Sequence, residues 1–160
     1  MLTFRITIPI KPKPKASVRQ KGRCFYNPSA RGMIEVSKYV KARYKQPLMT
    51  GPLLVVAHFL LPLALSLKGD SRLDRDRMPH IVKPDGDNLE KFLNDALKGI
   101  VWNDDAQITI MLRTKSYTNH KRGGTHLFIA ELDNAQFDYE EIDNYLADNL
   151  YIKGLEDEQS

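Results

Sequence analysis

The sequence predicts an α+β fold of a single domain: a mixed sheet of about four strands packed with two main helices, followed by a C-terminal helix. Three observations carry that expectation. Apolar and polar residues alternate at both ends of residues 1–132, a run in the middle is apolar on both alternating faces, and two segments repeat their apolar residues at helical spacing. A chain of 160 residues suffices for one such domain, burying about two thirds of its unfolded surface without disulfides or a structural metal. Residues 1–132 are expected to form it, and residues 133–160 an acidic C-terminal extension.

Leu2 to Ile8 alternates at period two and reads as a first strand, ended by Pro9, Pro12 and Pro14, which cannot donate to a ladder. The stretch KPKPKASVRQKGR, from Lys11 to Arg23, is then an extended basic loop. Pro28 and Ser29 can open a helix reaching about Gln46, with Met33, Val36, Val40 and Tyr44 toward the core and Lys38, Lys41 and Lys45 off that stripe. Leu53 to Leu63 suits a central strand covered on both faces, within which His58 reads as a hydrogen-bonded core residue rather than a ligand. LKGDSRLDRDRMPH, ending at His80, has interleaved charges and reads as a mobile loop.

From Asp87 the pattern is helical. Leu89, Phe92, Leu93, Ala96 and Leu97 form one apolar stripe, Gly99 stops it, and Asp87, Lys91, Asn94 and Lys98 project from the opposite face. Gln107 to Tyr117 alternates again. After the turn at Gly123 and Gly124, Thr125 to Leu132 is expected to pair with it as a hairpin. A last helix from about Tyr139 to Leu150 and a disordered end complete the expectation.

Composition excludes several classes. Cys24 is the only cysteine, so an intramolecular disulfide or a cysteine zinc site is ruled out; it is expected to be small and semi-buried, in a reducing cytoplasm. The start, MLTFRITIPI, lacks the pattern of a signal peptide, and Pro52 to Leu65 is too short to span a bilayer, so a soluble cytoplasmic protein with no membrane partner is expected. Charge is segregated. Residues 1–50 carry 12 Lys and Arg against one acid, Glu35, whereas residues 131–160 carry ten acids against Lys153. The basic third, with Lys11, Lys13, Lys15, Arg19, Lys21 and Arg23 in its loop, suits phosphates; the plainer alternative is a solvated basic face.

Within KPDGDNLEKFLNDALKGIVWNDD, residues 83–105, two aspartate pairs flank the second helix: Asp85 with Asp87, and Asp104 with Asp105. Carboxylates grouped in a basic protein suit a divalent metal and hydrolysis of a polyanion. The local alternative is that one aspartate caps the helix, that Asp104 and Asp105 sit in a turn, and that Lys91 merely pairs with Asp87 one turn away. For all four carboxylates to meet, the chain after Gly99 must run back along the helix. An EF-hand starting at Asp85 fails, because its sixth and twelfth positions are Glu90 and Ala96. No phosphate-binding GxxxxGK[ST] or GxGxxG stretch occurs, and His80, His120 and His126 lack ligand spacing.

The string KPDGDNLEKFLNDALKGIVWNDDAQI, residues 83–108, resembles the RusA family of Holliday junction resolvases, endodeoxyribonucleases of phages and prophages. IPIKPKPKASVRQKGRCFYNPSA also resembles that family's strand, basic loop and helix start, so the likeness runs over roughly residues 3–132. The resemblance implies a RusA-like fold and Mg²⁺-dependent hydrolysis of branched DNA such as a four-way junction, with Mn²⁺ as a substitute metal. It implies metal-binding catalytic roles for Asp85, Asp87 and Asp105, a catalytic role for Lys91 beside the scissile phosphate, and a helper's place for Asp104. It also implies a homodimer, whose two-fold symmetry matches that of the junction. The competing expectation from another class is a non-catalytic junction-binding phage protein that keeps the fold. Two departures stand out: Gly86 replaces a bulkier apolar residue usual between the paired aspartates, and the acidic tail is unaccounted for.

Overall fold

A computed structural model of the chain describes residues 2–63 and 75–132. Along them run β1 (Thr3–Ile8), β2 (Arg19–Lys21), β3 (Cys24–Tyr26), α1 (Ala30–Lys41), β4 (Leu53–Pro62), α2 (Gly86–Leu97), a single 3₁₀ turn (Asp105–Gln107), β5 (Ile108–Thr118) and β6 (Gly124–Glu131). The expected C-terminal helix, and residues 64–74 of the expected loop, lie outside the described residues.

Four strands form the main sheet in the order β1-β6-β4-β5, with β4 parallel to β5 and β6 antiparallel to both β1 and β4. β4 takes the middle because it alone is dry on both faces: Leu53, Leu54, Val55, Ala57, Phe59, Leu60 and Leu61 are all buried. A parallel neighbour requires a crossover, and α2 supplies it. The expected hairpin between the last two strands is not formed. β5 and β6 flank β4 instead, and the turn between them crosses the end of β4. There Gly123 has φ +64° and passes so close to Leu60 that a Cβ would lie 2.2 Å from its carbonyl oxygen. Alternation fixed the two strands, whereas their partner was fixed by which strand could be buried on both sides.

Both helices pack on one face of this sheet. The whole α2 stripe, Leu89, Phe92, Leu93, Ala96 and Leu97, is buried with Val36 and Val40 of α1 against Ile6, Ile8, Val55, Phe59, Leu127 and Ile129. Each such side chain contributes about 1.5–3 kcal/mol on burial. Ser37 Oγ donates to Ala96 O at 2.6 Å and ties the two helices together. Helix α1 stops at Lys41 rather than near Gln46. Tyr44 still reaches the core through the following turn, edge-on to Phe4 at 4.9 Å. Asn94, expected on the solvent face of α2, is buried along with the apolar stripe in the second half of the helix.

Part of the expected basic loop is ordered. β2 and β3 form a separate antiparallel ribbon, turning at Gly22, whose φ is +62°, and Arg23. Cys24 on this ribbon is exposed rather than semi-buried. His58 is half-buried and hydrogen-bonded to Thr114 Oγ1 and, at 3.0 Å, to Ser116 Oγ, as expected of it. Its ring stacks 6.2 Å from that of His126. Burial lowers the pKa of both rings, with Arg77 adding to the effect.

The outer edges of the sheet are occupied. Beside β5, Arg77 N and His80 N donate to Tyr117 O and Lys115 O at 3.0 Å each, and Tyr117 N donates to Met78 O at 2.9 Å. Beside β1, Gln46 Nε2 donates to Thr3 O at 3.0 Å and Tyr39 Oη to Thr7 O at 3.2 Å.

Candidate active site

Asp85 stands at the N-cap of α2 with extended backbone, φ −69° and ψ 142°, and its side chain makes no capping hydrogen bond. The exposed carboxylate is therefore left unspent at the positive end of the helix. Asp87 lies in the first turn, where Lys91 Nζ approaches its Oδ2 at 3.2 Å. The hydrogen bond from Lys91 holds the Asp87 carboxyl below its ordinary pKa, so it is ionised at neutral pH. Both side chains keep about half of their surface in solvent, so the pair itself stabilises the fold little.

The segment leading into this corner is tied to β5. Lys115 Nζ donates to Val82 O at 2.7 Å and Pro84 O at 2.8 Å, and Arg113 pairs with Glu90 at 2.5 Å. A Cβ built on Gly86 would stand 3.0 Å from Arg113 Nε and 3.2 Å from its Cδ. The space that a bulkier residue would take between the two aspartates is thus held by Arg113, and the glycine leaves the corner filled rather than loosened. Arg113 and Lys115 were missed from sequence; their signal was their place on the polar phase of the β5 alternation.

Asp104 and Asp105 lie at the other end of the helix. Lys98 Nζ meets Asp104 Oδ2 at 2.6 Å, and Asp104 Oδ1 accepts from Ala106 N at 2.9 Å. Gln107 Oε1 accepts from Asn103 N and Asp104 N at 2.9 Å each and completes a capping box. The Lys98 hydrogen bond, helped by that of Ala106, lowers the Asp104 pKa, while Asp104 in turn raises that of Lys98. Asp105 Oδ1 accepts from the indole Nε1 of Trp102 at 2.9 Å, and Trp102 is fully buried.

The helix that carries Asp87 at one end and leads to Asp104 and Asp105 at the other is twelve residues long, about 18 Å at 1.5 Å per residue. The expected gathering of Asp85, Asp87 and Asp105 is therefore not formed within one chain, and among the described residues no group of three or more His, Cys, Asp or Glu could hold a metal ion. The reason is topological. β5 runs parallel to β4, so the connecting helix runs against both, and the residues that enter β5 must lie beside the end of α2, not its start. Gly99 N donating to Trp102 O at 2.7 Å marks the immediate turn that accomplishes this.

Of the expected DNA contacts, Lys11 and Lys13 are exposed, Arg19 and Lys21 stand on β2, and Arg23 is in the ribbon's turn. Lys15 is exposed too but already paired, with its N donating to Asn88 O at 2.8 Å and its Nζ 2.5 Å from Asp95. The model of the family Endodeoxyribonuclease RusA matches residues 8–129, from the end of β1 through most of β6. The chain belongs to the RusA family. No curated protein matches its sequence. RusA proteins are endonucleases of Holliday junctions, and both ends of α2, the ribbon, β4 and β5 fall inside the matched region. No helix among the described residues is long and apolar enough to cross a membrane.

Proposed function

We propose that this RusA protein is a Mg²⁺-dependent endonuclease of branched DNA, four-way junctions above all, and that each of its active sites is completed by two protomers. The observation that carries this reading is the placement of the two aspartate pairs at opposite ends of α2. In a two-fold dimer with these helices side by side and antiparallel, Asp105 of one protomer stands beside Asp85 and Asp87 of its partner, and two equivalent sites arise at once.

The donor set fits the metal. Mg²⁺ prefers hard oxygen ligands and is commonly bound through one or two carboxylates, with waters and substrate phosphates in its remaining positions, which suits the unspent Asp85 and the ionised Asp87; Mn²⁺ suits the same oxygens. When bound, the ion activates a water and offsets charge at the scissile phosphate. Lys91 orients Asp87 from one turn away and offers its ammonium to a phosphate oxygen, where charge grows as the P–O bond breaks. Lys11, Lys13, Arg19, Lys21 and Arg23 hold the flanking phosphates.

The test is complementation. Asp85→Asn and Asp105→Asn proteins are each expected to leave a synthetic junction uncut in Mg²⁺, whereas a mixture that exchanges subunits regains one intact site per heterodimer and nicks the junction. An inactive mixture in which heterodimers are demonstrated would sink the shared site. Equal junction affinity with and without metal, and no product from the wild type on a denaturing gel, would favour the non-catalytic binding protein instead.

A further inference from the structure

The β2–β3 ribbon places an apolar ring where folding alone gives it no reason to be. Phe25 is 72 % exposed, and Tyr26 beside it is 46 % exposed. In an antiparallel pair, opposed residues share a face, so Phe25 stands with Gln20 on one side while Arg19, Cys24 and Tyr26 share the other. Arg23 occupies the tip, and no acidic residue precedes Glu35, so the charge of the ribbon suits an anionic partner.

The root of the ribbon is fixed at the Asp85 end of α2. Lys15 N is bonded to Asn88 O, next to Asp87, and Ala16 N donates at 2.8 Å to Ser29 Oγ at the head of α1. An exposed ring on a basic arm, rooted beside the candidate catalytic carboxylates, has the two elements of a single-strand or branch reader: cations for the backbone and an aromatic face for a base. In unbroken duplex every base is covered on both sides. At a branch point, the terminal pair of each arm offers a free face.

We propose that the ribbon reads the branch point, with Phe25 stacking on a nucleobase left uncovered where the DNA arms part and Arg19, Lys21 and Arg23 holding the adjoining phosphates. The inference rests on the junction-cutting reading above and adds the feature that separates a branch from plain duplex.

The experiment uses the full-length protein without metal and an immobile four-way junction carrying 2-aminopurine beside the crossover. Wild type is expected to change the 2-aminopurine fluorescence on binding. Phe25→Ala should lose that change and bind the junction about 5-fold to 100-fold more weakly, the range of one lost base–aromatic stack, with linear duplex affinity and salt dependence kept. Phe25→Trp should retain both signals. Junction affinity and fluorescence unchanged in Phe25→Ala would overturn the ribbon's role and leave the nuclease reading standing. So would a shift of Phe25→Ala from dimer to monomer in sedimentation, which would make the ring a contact between copies of this chain. Failure of the wild type to bind any junction would overturn the nuclease reading, and the ribbon's role with it.

Discussion

The two ends of α2 carry the same chemical kit, a pair of aspartates with a lysine, and commit it in opposite ways. At the C-terminal end Asp104 has both oxygens engaged, by Lys98 and the Ala106 amide, while Asp105 commits only Oδ1, to the Trp102 indole. At the N-terminal end, Asp85 caps nothing with its side chain, and Asp87 pairs with the exposed ammonium of Lys91. Residue type alone does not distinguish a scaffold carboxylate from a reactive one. What the fold does show is how much hydrogen-bond capacity each carboxylate has already used, all of it at Asp104, half at Asp105 and none at Asp85.

The largest effect is expected from substituting the unspent end. Asp85→Asn should lower junction cutting by at least about 100-fold, the scale seen when one group stabilising transition-state charge is removed, with its thermal midpoint unchanged. Asp104→Ala should do the reverse, lowering the midpoint while cutting at low temperature stays close to wild type. Cutting gels run beside thermal melts would show it, and a collapse of cutting in Asp104→Ala would erase the contrast between the ends. Trp102→Ala should be the most damaging to the fold, costing about 3–5 kcal/mol for a fully buried indole. Urea titration measures that loss, and a cost near zero would mean that the C-terminal end is not the scaffold described.

The smallest effect is on pH dependence, and it separates both ends of α2 from the sheet. Burial holds the pKa values of His58, His80 and His126 below 6.5, so protonation favours the unfolded chain. Their contribution is complete above pH 6.5 and is lost as the pH falls from there toward the lower folded values. Asp87 and Asp104, depressed below 3.8 by their lysines, contribute above 3.8 and lose that only in stronger acid. Urea midpoints should therefore fall between pH 6.5 and 5, and His58→Asn should flatten the fall. A slope unaltered in that variant would assign it to other groups.

Much of this was legible in the sequence for local reasons. The α2 stripe, the central place of β4 and the existence of β1, β5 and β6 as strands follow from periodicities of 3.6 and 2, which report burial directly. Pairing was not legible, because Gln107 to Tyr117 and Thr125 to Leu132 read as a hairpin until β4 is inserted between them. The distance of Asp105 from Asp85 had the same origin. It follows from β5 running parallel to β4, a non-local fact that no spacing within residues 83–105 encodes. Asn94 was misplaced for a related reason, since an ideal helical wheel cannot know what packs beside the helix.

The guarded margins of the sheet have a consequence for how this protein behaves at high concentration. Strand margins with free carbonyls and amides are templates on which further chains add, and they lead to aggregates. Here residues 77–80 occupy one margin, while Tyr39 and Gln46 cover carbonyls on the other. Open-ended strand addition is thereby disfavoured at both margins, which favours a chain that stays dispersed as its concentration rises.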